Sequence, residues 1–162
     1  TVVSESREYA FRTSDSDIST VIAQIVMNLP LIADGSTLMN LRIGVQEMVS
    51  NAIEHGNLGI SYEEKSRGLS EGTYGDLIDA RLSDPINAEK LIHITSHLTP
   101  AEFHFSVEDE GDGFDWHSVP DPSTEALYMF NGRGIFMTKI HYDEVNYNEK
   151  GNKVTIIKYR AT

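Results

Sequence analysis

The sequence predicts an α+β fold: a two-layer sandwich with a mixed, largely antiparallel sheet and helices on one of its faces. Residues 102–109 alternate strictly, with Phe103, Phe105, Val107 and Asp109 on one side and Glu102, His104, Ser106 and Glu108 on the other. That is the pattern of a strand with one buried face. Two earlier segments repeat apolar residues at helical spacing. The order of elements, strand, two helices, strand pair, helix, strand pair, then points to the sandwich.

Residues 8–13 read as the first strand. Ser14, Asp15, Ser16 and Asp17 follow, a cluster of helix N-cap formers, so a helix starts there. Ile18, Val21, Ile22, Ile25, Val26 and Leu29 give it one apolar stripe that packs on the sheet, and Pro30 is expected to end it. A second helix starts near Ser36. Leu38, Leu41, Val45, Met48, Val49, Ala52 and Ile53 form its apolar face, Asn40, Gly44, Glu47, Asn51 and Glu54 the opposite one, and Gly56 is placed to terminate it.

Residues 57–90 read as an insertion. Short helices are expected at 62–69 and 74–82, separated by glycines and closed by Asp84-Pro85. A segment this long in a compact domain needs structure or a task of its own. Residues 91–98 and 102–109 make the clearest strand pair, in a register that puts Ile92, Ile94 and Ser96 on the Phe103 face. Asp109 then ends its strand on the buried side, a costly position for a carboxylate without a partner. Short helices are expected at 123–130 and 134–142, and a closing hairpin pairs 143–149 with 153–160.

The 162 residues fit a single domain, able to bury roughly 70% of the surface of the unfolded chain. There is no cysteine, which excludes disulfides and thiolate-bound zinc and suits a reducing cytoplasm. The apolar run 21–33 falls short of the ~20 residues of a membrane span, and no signal-peptide pattern precedes Tyr9. Thirteen Lys and Arg against 25 Asp and Glu give a formal charge of −12. Such a field disfavours nucleic acid and anionic lipid. A polyphosphate can still bind where backbone amides, a basic side chain and a divalent metal offset the charge locally.

Three segments carry candidate chemistry. Glu47 and Asn51, four apart on one helix face, can hold a water or hydroxyl beside a hard metal ion. A solvated helix face is the plainer reading of that pair alone. Asp109-Glu110-Gly111-Asp112-Gly113 joins a buried carboxylate to two glycines that let backbone approach a flat ligand closely. Asn131-Gly132-Arg133-Gly134-Ile135 enters a helix whose free N–H groups and dipole favour an anion, with Arg133 adding charge. His93, His97 and His104 fall on the outer sheet face, read as solvated surface in preference to a zinc site. His55 reads as support for the site or as a helix-end cation.

Taken in order, Glu47-x-x-x-Asn51-Ala52-x-x-His55-Gly56, Asp109-x-Gly111-x-Gly113 and Gly132-Arg133-Gly134-Ile135 resemble the N, first-glycine and second-glycine boxes of GHKL ATPases. Within that family the pattern is most similar to bacterial anti-sigma-factor serine/threonine kinases. The resemblance implies a Bergerat ATP-binding fold with ATP and magnesium as cofactors. It gives Asn51 as magnesium ligand, Glu47 as catalytic base, and Asp109 as acceptor for the adenine amine, with Gly111 and Gly113 lining the base pocket. Gly132, Arg133, Gly134 and Ile135 would meet the phosphates from a lid covering about 114–131. Many relatives have Thr after the glycine of the closing hairpin to help bind adenine. Here Asn152 follows Gly151, and Asn152 or Thr155 is expected to take that contact. The implied partner is a protein, either an anti-sigma antagonist or a sigma factor, and a homodimer is left open. Two other readings stay open beside the kinase: a nucleotide-gated binding module without turnover, and the catalytic ATP-binding domain of a sensor histidine kinase.

Overall fold

A computed structural model describes residues 1–15, 17–115, 117, 138–139 and 141–162. Five strands form one sheet, β1 (Glu5–Arg12), β2 (Leu91–Leu98), β3 (Glu102–Glu108), β4 (Glu144–Tyr147) and β5 (Lys153–Tyr159). They lie in the order β1-β2-β3-β5-β4, and every neighbouring pair is antiparallel. The expected register of the central pair holds: Ile94 lies opposite Val107 and Ser96 opposite Phe105. Ile92, Ile94, Phe103, Phe105, Val107, Val154 and Ile156 are buried on one face. His93 and His97 are exposed on the other, with His104 half-buried.

Helices α1 (Ile18–Val26) and α2 (Gly35–Asn51) contribute Ile25, Leu41, Val45, Met48 and Val49 to the same core. This is the α+β sandwich that the alternation and the helical stripes imply. α1 ends four residues before Pro30, which sits inside a 3₁₀ turn, Leu29–Leu31. The reason is steric, because a proline ring clashes with the carbonyl four residues back, here that of Val26.

Gly44, expected on the polar side of α2, is buried. A Cβ there would lie 2.5 Å from the Tyr142 ring, and Tyr142 crosses the helix to donate its hydroxyl to the Leu41 carbonyl at 2.7 Å. Gly56 does not end the second helix either. α2 runs on into a π-helical turn, Ala52–Asn57, a local widening often found at functional sites.

Residues 62–89 hold three helices, α3 (Tyr62–Glu71), α4 (Tyr74–Leu82) and α5 (Pro85–Glu89). The sequence reading missed α5 by taking Asp84-Pro85 as a stop. Asp84 caps it by accepting from the Ile86 N–H at 2.9 Å, and proline in a first helical turn lacks only a donor that would be unpaired anyway. The expected helix at 123–130 lies outside the described residues, as does most of the one at 134–142. Among the described residues no helix is long and apolar enough to cross a membrane.

Candidate functional site

The end of α2, the loop after β3 and the β4–β5 turn converge on one pocket. Asn51, Asp109, Gly113 and Asn152 line it together, so residues scattered over a hundred positions become neighbours. Glu47 stands one turn before Asn51 on the same helix and is half-buried.

Asp109 is 8% exposed. It follows the inward-facing Val107 by two residues, so strand alternation alone sends its carboxylate into the protein. Burial pushes this carboxyl up to about 6, against the opposing pull of the Gly111 amide and the Lys150 charge. Its Oδ1 accepts from the Gly111 N–H at 2.8 Å.

Two glycines make room for it. A Cβ on Gly56 would lie 2.3 Å from the Asp109 Cγ, and one on Gly111 would lie 2.3 Å from the Gly56 carbonyl oxygen. No side chain fits between the π-helical turn and this loop. Gly113 lines the pocket with φ +80°, and a Cβ there would meet the Lys150 carbonyl oxygen at 1.9 Å.

Asn57 sets the position of the loop from beneath. Fully buried, it donates to Thr13 Oγ1 at 2.8 Å and to the Leu91 carbonyl at 3.1 Å, and accepts from the Glu110 N–H at 2.7 Å. One side chain thus ties the end of the π-helical turn to the start of β2 and to the residue after Asp109.

Asn152 is held in the pocket wall. Its amide donates to the Asp109 carbonyl at 2.8 Å and its side-chain oxygen accepts from Asn148 at 2.7 Å. Thr155, the alternative adenine contact, pairs in register with Ser106 and Asn146. That puts it on the outer face of the sheet, opposite to the pocket, so it cannot serve.

His55 is not a helix-end cation. Burial lowers its pKa, and Nδ1 pairs with the Ile60 carbonyl at 2.5 Å. A carbonyl only accepts, so Nδ1 carries the proton and Nε2 is a bare acceptor. Nε2 is buried and has no hydrogen-bond partner among the described residues. The ring packs on Tyr62, with centroids 3.9 Å apart and planes tilted by 33°.

Tyr62, Phe114 and Tyr147 complete the aromatic lining; Phe114 is the first residue of the expected lid, whereas Tyr62 and Tyr147 carry no site role in the sequence pattern. Phe114 and Tyr147 meet edge to face at 5.1 Å. For Tyr62 a signal existed: Ser61 and Glu64 form a reciprocal capping box, whose S-x-x-E spacing places the first residue of α3. Gly132, Arg133, Gly134 and Ile135 lie outside the described residues, as does the expected lid apart from 114, 115 and 117.

A slot walled by four aromatic rings, with a buried carboxylate in its lining that can accept a further hydrogen bond, suits a planar heterocycle bearing an exocyclic amine. The carboxamide of Asn51, in the same pocket, could offer its oxygen to a hard metal ion. Residues 80–158 match the family model of the histidine kinase-like ATPase domain, which supports a GHKL-type ATP-binding module. The match takes in Asp109, Gly111, Gly113 and Asn152 and stops short of α2, which carries Glu47 and Asn51. No curated protein matches the chain.

Proposed function

We propose that this chain is the Mg-ATP-binding domain of a protein serine/threonine kinase of the anti-sigma-factor type, acting on a protein partner in the cytoplasm. The observation that carries the reading is the buried Asp109 carboxylate in an aromatic slot, sharing that slot with Asn51. Asp109 would accept from the adenine amine, a proton that the guanine keto group does not offer. His55, Phe114 and Tyr147 would exclude water from the base, and Gly113 would let the backbone approach it.

Asn51 would hold magnesium, a hard ion that takes oxygen ligands. When bound, the ion neutralises charge on the phosphates. Gly132, Arg133, Gly134 and Ile135 would contact those phosphates. Glu47, one turn along the same helix face, would take the proton of the attacking hydroxyl. Its presence favours an enzyme, because binding alone needs Asn51 and Asp109 but no base.

The test is phosphotransfer to candidate partner domains. Glu47→Gln keeps the size of the side chain and removes the base, so transfer should slow by roughly 100-fold with ATP affinity little changed. Asn51→Ala should weaken both triphosphate binding and transfer. Undiminished transfer by Glu47→Gln would falsify the base assignment, and a parent domain that binds ATP but phosphorylates no partner would point to the binding module.

A further inference from the structure

The segment between the π-helical turn and β2 reads from its sequence as an insertion that needs structure or a task of its own. Its first helix supplies part of the pocket wall. We propose that Tyr62, delivered by this insertion, is a base-binding residue of the nucleotide site, its ring held against His55 as one wall of the slot that ends on Asp109. The inference rests on the ATP reading above and extends it to a segment that none of the three sequence boxes includes.

Three observations converge on Tyr62. It lines the same pocket as Asn51, His55 and Asp109. Its ring packs on the neutral imidazole of His55 at a centroid distance of 3.9 Å. Burial, and after it the charge of Glu47, push its phenol up to about 12, so the hydroxyl stays protonated and within electrostatic reach of the proposed base. One residue from the insertion therefore lines the base slot and feels the charge of the carboxylate that would act on the phosphate acceptor.

The start of α3 is also fixed far more firmly than a surface appendage requires. Glu54, next to His55 in the π-helical turn, receives Lys65 Nζ at 3.1 Å and the Tyr74 hydroxyl at 2.5 Å. Arg81 of α4 donates to the carbonyls of Leu58 and Gly59, each at 3.0 Å, and to Glu64 at 2.7 Å. Contacts from both α3 and α4 thus fasten the helix that begins with Tyr62 to the turn that carries His55. Lys65, Tyr74 and Arg81 are positioning residues: they touch the clamp and not the slot.

A Tyr that merely fills space would tolerate an apolar replacement, whereas a ring that stacks on a base would not. The experiment is calorimetric titration of the full chain with ADP and with Mg-ATP, alongside thermal melting without nucleotide. Tyr62→Phe should bind within about twofold of the parent, since the ring is kept. Tyr62→Leu keeps apolar bulk but loses the ring, and should weaken both nucleotides by about tenfold, the scale of one stacked base, while still melting cooperatively. Tyr74→Phe, which removes one strut from Glu54, should give a smaller loss in the same direction.

If Tyr62→Leu binds ADP within twofold of the parent, Tyr62 is packing and the inference is overturned with the ATP reading intact. If the parent itself binds neither nucleotide, the ATP reading falls and takes this inference with it. A Tyr62→Leu variant that no longer melts cooperatively moves the decision to Tyr62→Phe and Tyr74→Phe. In that case full binding by the first with a loss by the second supports the wall, and a tenfold loss by Tyr62→Phe overturns it.

Discussion

Asp109 is the residue on which both the stability and the binding of this domain should turn with pH. Burial raises its carboxyl from an ordinary 3.8 to about 6, so without a ligand the folded state resists its ionisation more than the unfolded chain does. The cost of holding it ionised is fully present above about pH 6 and disappears as pH falls towards 3.8, which means that this group alone favours the fold at lower pH. Nucleotide binding should run the other way, because only the ionised carboxylate accepts from the adenine amine without itself presenting a proton. Affinity for ADP should therefore fall by about tenfold per unit once pH drops well below 6. Asp109→Asn should bind weakly at every pH and lose that slope, and titrations at pH 5 and 7.5 decide it: an equal slope in Asp109→Asn would assign the titration to another group. The sequence made Asp109 legible because period-two alternation carries its inward direction past the last strand residue. It did not make Tyr62 legible as a site residue. Nothing in a linear pattern says that a helix starting eleven residues after Asn51 folds back onto the same pocket.

At the scale of elements, the π-helical turn Ala52–Asn57 is the joint that brings α2 to the loop after β3. Its fit depends on the missing side chain of Gly56, since a Cβ would stand 2.3 Å from one carboxylate carbon and within 2.6 Å of both its oxygens. Gly56→Ala must therefore displace Asp109 or lift the turn from the loop. The expected outcome is a destabilisation of about 1–3 kcal/mol, the usual cost of overpacking, together with loss of nucleotide affinity. Denaturant unfolding measures the first and titration the second. Wild-type stability and affinity in Gly56→Ala would show that the joint is looser than these distances describe. The sequence placed a glycine at this point but gave it the commoner task of ending a helix. Helix termination and close backbone approach both call for glycine, and only the position of Asp109 in space separates them. The same limit applies to Gly44 and to α5. Long periodic elements could be read directly: α2, β2 and β3 lie where their apolar spacing puts them, because burial of one face dictates the spacing. Short elements and glycines serve contacts that are distant in sequence.

Over the whole molecule, the formal charge of −12 opposes the entry of a polyphosphate. In the described part of the pocket, Lys153 in its lining and the charge of Lys150 stand against Asp109 and, beside it, Glu47. Two further contributions are a divalent ion bound with the phosphates and the segment carrying Arg133, which lies outside the described residues. Each has a distinct dependence on salt. If the net field dominates, raising ionic strength from about 20 to 200 mM shortens the screening length from roughly 20 Å to under 10 Å and removes repulsion. Affinity for magnesium-free ATP should then rise, by about threefold on the scale of such long-range effects. Mg-ATP carries less charge and should respond less, and adenosine, which carries none, should not respond at all. If instead Arg133 and the amides around Gly132 and Gly134 form close contacts with the phosphates, salt should compete with them and the affinity for ATP should fall. Titrations of ATP, Mg-ATP and adenosine at the two ionic strengths distinguish these cases. We expect the rise for free ATP in Arg133→Ala, where the local attraction is gone, and a flatter or inverted response in the parent. Identical salt responses in parent and variant would remove Arg133 from the phosphate site.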